Sequence, residues 1–387
     1  MKKVLLVGFG SEIGTNLILQ NDPKKDNFAI NTVITNTIKT DKNFPQFDRL
    51  DALRARILLL GENPEDIQTD KKNNLIIIKG KKIKIIWGDV KKLNLKNLKK
   101  RFELTVIASS KEHLKDKILH KKLLKCSKYV IGVAENIKLP AIYPSLINHK
   151  SDLLEKRIKK INKEKIFAIG SCQSNGWQAQ LRAILEIKKN MNLAFFDIHA
   201  MEVDIVHPDT PTGILSNKSF SPRMQDARNN LRPSFSQLAQ SMKRIFPLKY
   251  VQNTVSLRTL IEPPGFQISR FFIKYSFKNN SKRITHENLI SSLKLTMRNN
   301  NNLIHLTELP LGSKAFSKTL YSSVILADKR YLKIKNNFSY DKNGHPVDEI
   351  IIQSYVHNTI AYCDKVKSAI KYLLFSKKKE YFINEFS

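Results

Sequence analysis

Cys172 stands in Gly170-Ser171-Cys172-Gln173-Ser174-Asn175-Gly176, between two apolar stretches of different period. Ile166, Phe167, Ala168 and Ile169 read as a buried strand, and Trp177, Leu181, Ile184 and Leu185 share one helical face. The thiol is therefore expected at a helix N-terminus. Unpaired N–H groups and the positive end of the helix dipole there favour thiolate over thiol, which makes a nucleophile near neutral pH. The competing reading of a lone cysteine is a small core hydrophobe. A second chemistry is written near the start of the chain, in Gly8-Phe9-Gly10-Ser11-Glu12-Ile13-Gly14. Such a glycine turn between a strand and a helix lets backbone approach a pyrophosphate and aims helix N–H groups at it. The spacing, GxGxxxG, is one residue longer than the usual form. A further apolar strand leads into Asn36 and Thr37, where dinucleotide enzymes often place an acid for the ribose hydroxyls. Thr37 is not an acid, so NAD and NADP both remain open.

The elements that must hold these groups follow from periodicity. Residues 3–7 form a strand, 15–20 a helix, 32–35 a strand, 49–60 a polar helical region, 74–87 a β pair, 105–108 a strand, and 128–133 another after a helix. That alternation predicts a parallel, doubly wound sheet of Rossmann type with helices on both faces. Beyond Cys172 the strands lengthen, as in 267–275 and 321–326, and helices thin out, which predicts an α+β catalytic domain with an antiparallel sheet. Residues 360–375 are helical, with Ala361, Val366, Ile370 and Leu373 or Leu374 on one face.

Composition narrows the classes. The 387 residues carry 67 Lys and Arg against 34 Asp and Glu, a net charge of +33. The excess is mostly lysine spread along the whole chain and joined by abundant Asn and Ile, a mixture expected from A+T-rich codon use. No zinc-finger spacing or RNA-binding aromatic signature accompanies it, so no specific nucleic-acid partner is assigned. Cys126, Cys172 and Cys363 are too few for a disulfide framework and point to a reducing, cytoplasmic setting. No stretch approaches the roughly 18 apolar residues of a membrane span. His207 and His357 show no metal-ligand spacing with Cys or acidic residues, so no metal is assigned.

The order of motifs resembles the glyceraldehyde-3-phosphate dehydrogenase family over nearly the whole chain. Gly8-Phe9-Gly10 is similar to that family's opening, and residues 75–83 to its paired strands around an Asn-Gly-Lys turn. Val106-Ile107-Ala108-Ser109-Ser110 stands where the family runs a strand into Ser-Thr-Gly beside the cofactor, and Ile147-Asn148-His149 resembles its Val-Asn-His. Ser171-Cys172-Gln173-Ser174-Asn175 matches Ser-Cys-Thr-Thr-Asn in three of five positions, and Tyr355, Asn358 and Tyr362 fit a C-terminal tyrosine-asparagine segment.

The resemblance implies a dinucleotide-binding domain over 1–170, a catalytic domain over 171–354, and a C-terminal segment, 355–387, packing back on the first. Cofactor contacts fall on Gly8, Phe9, Gly10, Ile13, Thr37, Ser109, Ser110, Asn358 and Tyr362. His199, 27 positions after Cys172, is expected as the catalytic base. Ser171, Gln173, Arg223, Ser236 and Gln237 form an inorganic-phosphate pocket, altered at the two glutamines. A second anion pocket would hold Glu202 and Arg258, where the Glu202 carboxylate is expected to repel a substrate phosphate. The implied activity is NAD(P)-dependent oxidation of a small aldehyde through a cysteine thioester, released by phosphate or water, in a homo-oligomer, a tetramer by resemblance. Two alternatives share this fold: a semialdehyde or non-phosphorylated aldehyde dehydrogenase, and a dinucleotide-binding regulatory paralogue without glycolytic activity.

Overall fold

A computed structural model describes residues 1–37, 43–147, 149, 152–190, 196–208, 231–246, 251–275 and 283–383. The chain forms two compact units of mixed α/β structure. Unit 1 is Met1–Ile142, Lys159–Ile169 and Val366–Tyr381; unit 2 is Tyr143–Ile158, Gly170–Lys365 and Phe382–Ser387.

Unit 1 is built from β1 (Lys2–Val7), α1 (Glu12–Gln20), α2 (Pro23–Asp26), β2 (Phe28–Thr35), α3 (Arg49–Leu58), β3 (Ile67–Asp70), β4 (Leu75–Ile78), β5 (Lys81–Trp87), β6 (Phe102–Ile107), α4 (Lys111–Lys115), α5 (Lys117–Leu124) and β7 (Ser127–Gly132). After α6 (Asp152–Glu155) and β8 (Ile158–Lys160), β9 (Ile166–Ala168) completes its sheet. The strand order is β3-β4-β5-β2-β1-β6-β7-β9. From β5 to β9 every pairing is parallel, and β3-β4-β5 is an antiparallel meander on one edge. Val4, Leu5, Leu6 and Val7 are all buried, the continuous apolar run a central parallel strand needs because both its faces are covered. Each such side chain contributes about 1.5–3 kcal/mol by leaving water. The winding direction reverses between β1 and β6, and this opens a crevice beyond the strands' carboxyl ends.

Unit 2 contains α7 (Cys172–Asn190), β10 (Phe196–Pro208), β11 (Arg232–Pro233), α8 (Leu238–Ile245), β12 (Val251–Thr259), β13 (Gly265–Tyr275), α9 (His286–Asn299), β14 (Ile304–Thr307), β15 (Ser323–Leu326), β16 (Leu332–Tyr340) and β17 (Pro346–Val356). Its sheet runs β11-β12-β10-β13-β17-β15-β14, with β16 on β17. The expected antiparallel sheet is a mixed one: β10-β13-β17-β15 is antiparallel, but β10–β12 and β14–β15 are parallel pairs. Along β13 burial alternates at every residue, the mark of a strand with one covered face. Helix α7 covers that face. Gln180 Nε2 donates to Ser323 Oγ at 2.9 Å and Ser354 Oγ at 2.6 Å, and a Cβ on Gly176 would stand 2.4 Å from Val356 Cγ1. Helix α10 (Ile360–Phe375) begins in unit 2 and ends in unit 1, followed by β18 (Glu380–Phe382), which pairs with β8.

The units differ in outline from a division at 170 and 354. Residues 143–158 count with unit 2 because the connector is fastened to α7: Ser145 Oγ donates to Asn175 O, and Arg182 Nη1 donates to Ser145 O. The C-terminal return begins inside α10, at Val366. No helix among the described residues is long and apolar enough to cross a membrane.

Candidate active site

The turn from β9 into α7 places Cys172 at the first position of a 19-residue helix. Gly170 takes φ +75°, a left-handed conformation that side chains disfavour, and its carbonyl accepts from the buried Tyr362 hydroxyl at 2.7 Å. Ser171 Oγ then accepts from Ser174 N at 3.2 Å and so caps the helix. Cys172 is partly exposed, whereas Cys126 and Cys363 are buried. Burial pushes the Cys126 thiol up, away from thiolate.

The histidine beside Cys172 is His207, with Nε2 at 3.9 Å from Sγ. His207 Nδ1 lies 2.5 Å from Pro208 O. A carbonyl only accepts, so Nδ1 carries the proton and Nε2 presents its lone pair to the thiol. His199 does not fill the role expected of it. It sits, exposed, at the register shift between Ile198 and Ala200, eight residues before His207 on the same strand. At about 3.3 Å per residue the two lie roughly 26 Å apart along β10. Met201, Val203 and Ile205 point toward α7, and His207 continues that parity as the last inward residue of the strand. The alternation was available in the sequence; a fixed offset from Cys172 obscured it.

Two arginines join this end of the sheet. Arg258 is in register with His207 across β10–β12, and Arg232 is in register with Arg258 across β11–β12, so all three side chains leave the same face. Arg258 Nη1 donates to Pro208 O at 3.3 Å, and the carbonyl that orients His207 thus orients Arg258 as well. Both arginines are buried. Burial lowers the Arg232 pKa, yet a guanidinium stays charged. Gln173 is buried, with its amide 3.3 Å from where a Cβ on Gly265 would stand, and neither amide atom has a hydrogen-bond partner among the described residues. Ser236 Oγ accepts from Leu238 N at 3.2 Å, and Gln237 begins α8 without a side-chain cap. Ser241, one turn into α8, donates to Ser174 Oγ at 2.8 Å and ties the N-termini of α7 and α8 together. Helix N-termini and arginines here make a field suited to anions.

Glu202 does not belong to this cluster. It lies five residues before His207 on the opposite face of β10, in register with Arg270 of β13. Arg270 ion-pairs with Asp204 at 2.5 Å and with Glu349 at 3.7 Å; its pKa is raised by the hydrogen bond to Asp204, with the Glu202 charge adding to the effect. The carboxylate expected to repel a substrate phosphate is therefore part of a charge network behind the sheet, and strand alternation is the reason. Arg223 and Asn148 lie outside the described residues. Strand β10 runs to Pro208, and residues 209–230 lie outside the described ones as well.

Unit 1 has its own cleft, of about 620 Å³, lined by Gly8, Phe9, Gly10, Thr37, Ser109 and Ser110 among others. Ile13 falls on the first turn of α1 and outside that lining. A Cβ on Gly14 would stand 2.0 Å from Gly8 O, so α1 can approach β1 only at glycine. Ser11 caps α1 by accepting from Gly14 N at 3.0 Å. Thr35, Arg56 and His113 also line the cleft and were not singled out by the turn motif. Ser109 Oγ is 2.6 Å from His113 Nδ1, and burial lowers the His113 pKa, which keeps that ring neutral at pH 7. Asn358 and Tyr362 belong to unit 2: Tyr362 clamps Gly170, and Asn358 Oδ1 is buried without a hydrogen-bond partner among the described residues. No protein-family model matches the chain, and no curated protein matches it.

Proposed function

We propose that the chain is an NAD(P)-dependent dehydrogenase that oxidises a small anionic aldehyde through a cysteine thioester, a divergent relative of glyceraldehyde-3-phosphate dehydrogenases. The observation that carries this reading is the Cys172–His207 pair at the head of α7, with the histidine tautomer fixed by Pro208 O. In this reading unit 1 is a Rossmann-type dinucleotide-binding domain. Its strand order, the crevice where winding reverses and the Gly8/Gly14 close approach support that assignment.

The chemistry follows from the residues. His207 Nε2 takes the thiol proton, and the dipole of α7 steadies the thiolate. The sulfur attacks the aldehyde carbon, the imidazolium returns its proton to the developing alkoxide, and a hemithioacetal forms. When bound, a nicotinamide supplies the hydride acceptor for the oxidation. His207 removes the hydroxyl proton as the carbonyl is re-formed, and the thioester remains on Cys172. The N-terminus of α7 turns the positive end of its dipole toward the developing oxyanion. Arg258 and Arg232 recognise a phosphate or carboxylate on the substrate, and Glu202, on the far face, does not oppose it. Phosphate or water then cleaves the thioester.

Two measurements test this. Iodoacetamide should alkylate Cys172 well below the free-thiol pKa of about 8.5 and far faster than Cys126 or Cys363. Aldehydes bearing phosphate, carboxylate or no charge, assayed with NAD and NADP, should show reduction that favours the anionic substrates and vanishes in Cys172→Ser. Alkylation at an ordinary thiol rate, together with no reduction by any aldehyde, would leave the reading without support.

A further inference from the structure

We infer that the unit 1 cleft selects a dinucleotide phosphorylated on its adenosine ribose, and that Arg56 reads the 2′-phosphate; this rests on the dinucleotide reading above. Arg56 projects from the last turn of α3 and lies over the glycine turn. Its Nη1 donates to Gly10 O at 3.0 Å and would stand 2.6 Å from a Cβ at that position, so the guanidinium occupies space that glycine leaves. That is its one polar contact among the described residues, and no carboxylate pairs with it.

Among the described residues the rest of the lining offers nothing to neutralise it. None of the described lining residues is acidic, and with His113 held neutral, Arg56 supplies the one full charge among them. At the end of β2, where a carboxylate would accept from ribose hydroxyls and repel a phosphate, the chain has Thr35, Asn36 and Thr37. Thr35 is engaged elsewhere, its Oγ1 donating to Phe9 O at 2.6 Å. Position decides which phosphate Arg56 reads. The pyrophosphate is served by the N–H groups opening α1, while α3 follows β2 and comes from the half of the sheet that holds adenosine. A guanidinium fork there matches a dianionic 2′-phosphate.

The test uses the full chain and ligands that separate the two phosphates: 2′,5′-ADP against 5′-AMP, and NADP against NAD, by calorimetric titration. Wild type should bind the 2′-phosphorylated member of each pair at least about tenfold more tightly. Arg56→Gln should weaken 2′,5′-ADP and NADP by roughly 10–100-fold, the range of a charge-assisted contact, and NAD by a far smaller factor. Thr37→Asp, which adds the missing carboxylate, should shift preference toward NAD and gives a gain that misfolding cannot imitate. Equal affinity for NAD and NADP, or an equal loss of both in Arg56→Gln, overturns the inference and leaves the dinucleotide reading standing. Failure of every nucleotide to bind the folded chain removes both.

Discussion

The contact between His207 Nδ1 and Pro208 O fixes more than the ring's orientation, because it decides which nitrogen can take a proton from Cys172. An imidazolium next to the sulfur favours thiolate, so it lowers the thiol pKa; removing the ring should raise it toward about 8.5. His207→Asn is therefore expected to move the alkylation profile of Cys172 to higher pH and to lower kcat for the proposed aldehyde oxidation by about 10²–10⁴-fold. His199→Asn should change either measurement by less than about twofold, since a residue roughly 26 Å along the strand cannot share a proton with the sulfur. Comparable losses in the two variants would assign the base wrongly. The same parity argument separates Arg258 from Glu202, two charged residues that both looked like substrate contacts in the sequence.

Helix α1 shows how one atom can set the position of a whole element. Gly14 lies against Gly8 O, and an added Cβ at 2.0 Å meets backbone that cannot rotate away. Gly14→Ala should force α1 off β1, cost roughly 1–3 kcal/mol, and weaken the proposed nucleotide binding because the N–H groups of the first turn move with the helix. Gly312→Ala is the matched control: its Cβ meets nothing within 4 Å and its φ of −70° suits any residue, so the change should stay within about 0.5 kcal/mol. Urea midpoints of the two variants make the comparison. A Gly14→Ala protein as stable as the control would show that α1 does not depend on this approach.

The second half of α10 is tied to the rest of unit 1. Lys371, on the second half of α10, bonds the buried carboxylate of Asp26 at 2.7 Å, and Lys367 Nζ donates to Gln20 O at 3.3 Å. Burial raises the Asp26 pKa, but the hydrogen bonds from Lys371 and Asn21 and the charges of Lys367 and Lys371 outweigh it, and the net shift is downward. A carboxyl whose folded pKa is depressed stabilises the protein above its unfolded value of about 4 and loses that contribution as pH falls through the depressed value. Lys371→Met should cost about 1–2 kcal/mol near neutral pH, a modest figure because the lysine is partly exposed. The gap in Tm from wild type should narrow below pH 4; a gap that stays constant down to pH 2 would mean the pair contributes by packing alone.

Local pattern determined much of this protein from the sequence. The run 166–169 and the apolar face of 177–185 place a strand and a helix on either side of Cys172, and the glycines of 8–14 demand a tight strand-to-helix turn. These follow from hydrophobic period and from the space a Cβ needs, both local quantities. The alternation of strands and helices before Cys172 likewise implied the parallel sheet that unit 1 has. What lies across from a strand is not local. That β12 runs parallel to β10, that Arg258 therefore meets His207, that His199 sits at a register shift far along β10 and that Glu202 faces Arg270 of β13 all depend on pairings between distant segments. A side-chain period of two turns each one-residue error into a change of face. A spacing counted along the chain selected His199, and only the folded sheet brought His207, eight residues further along β10, to Cys172.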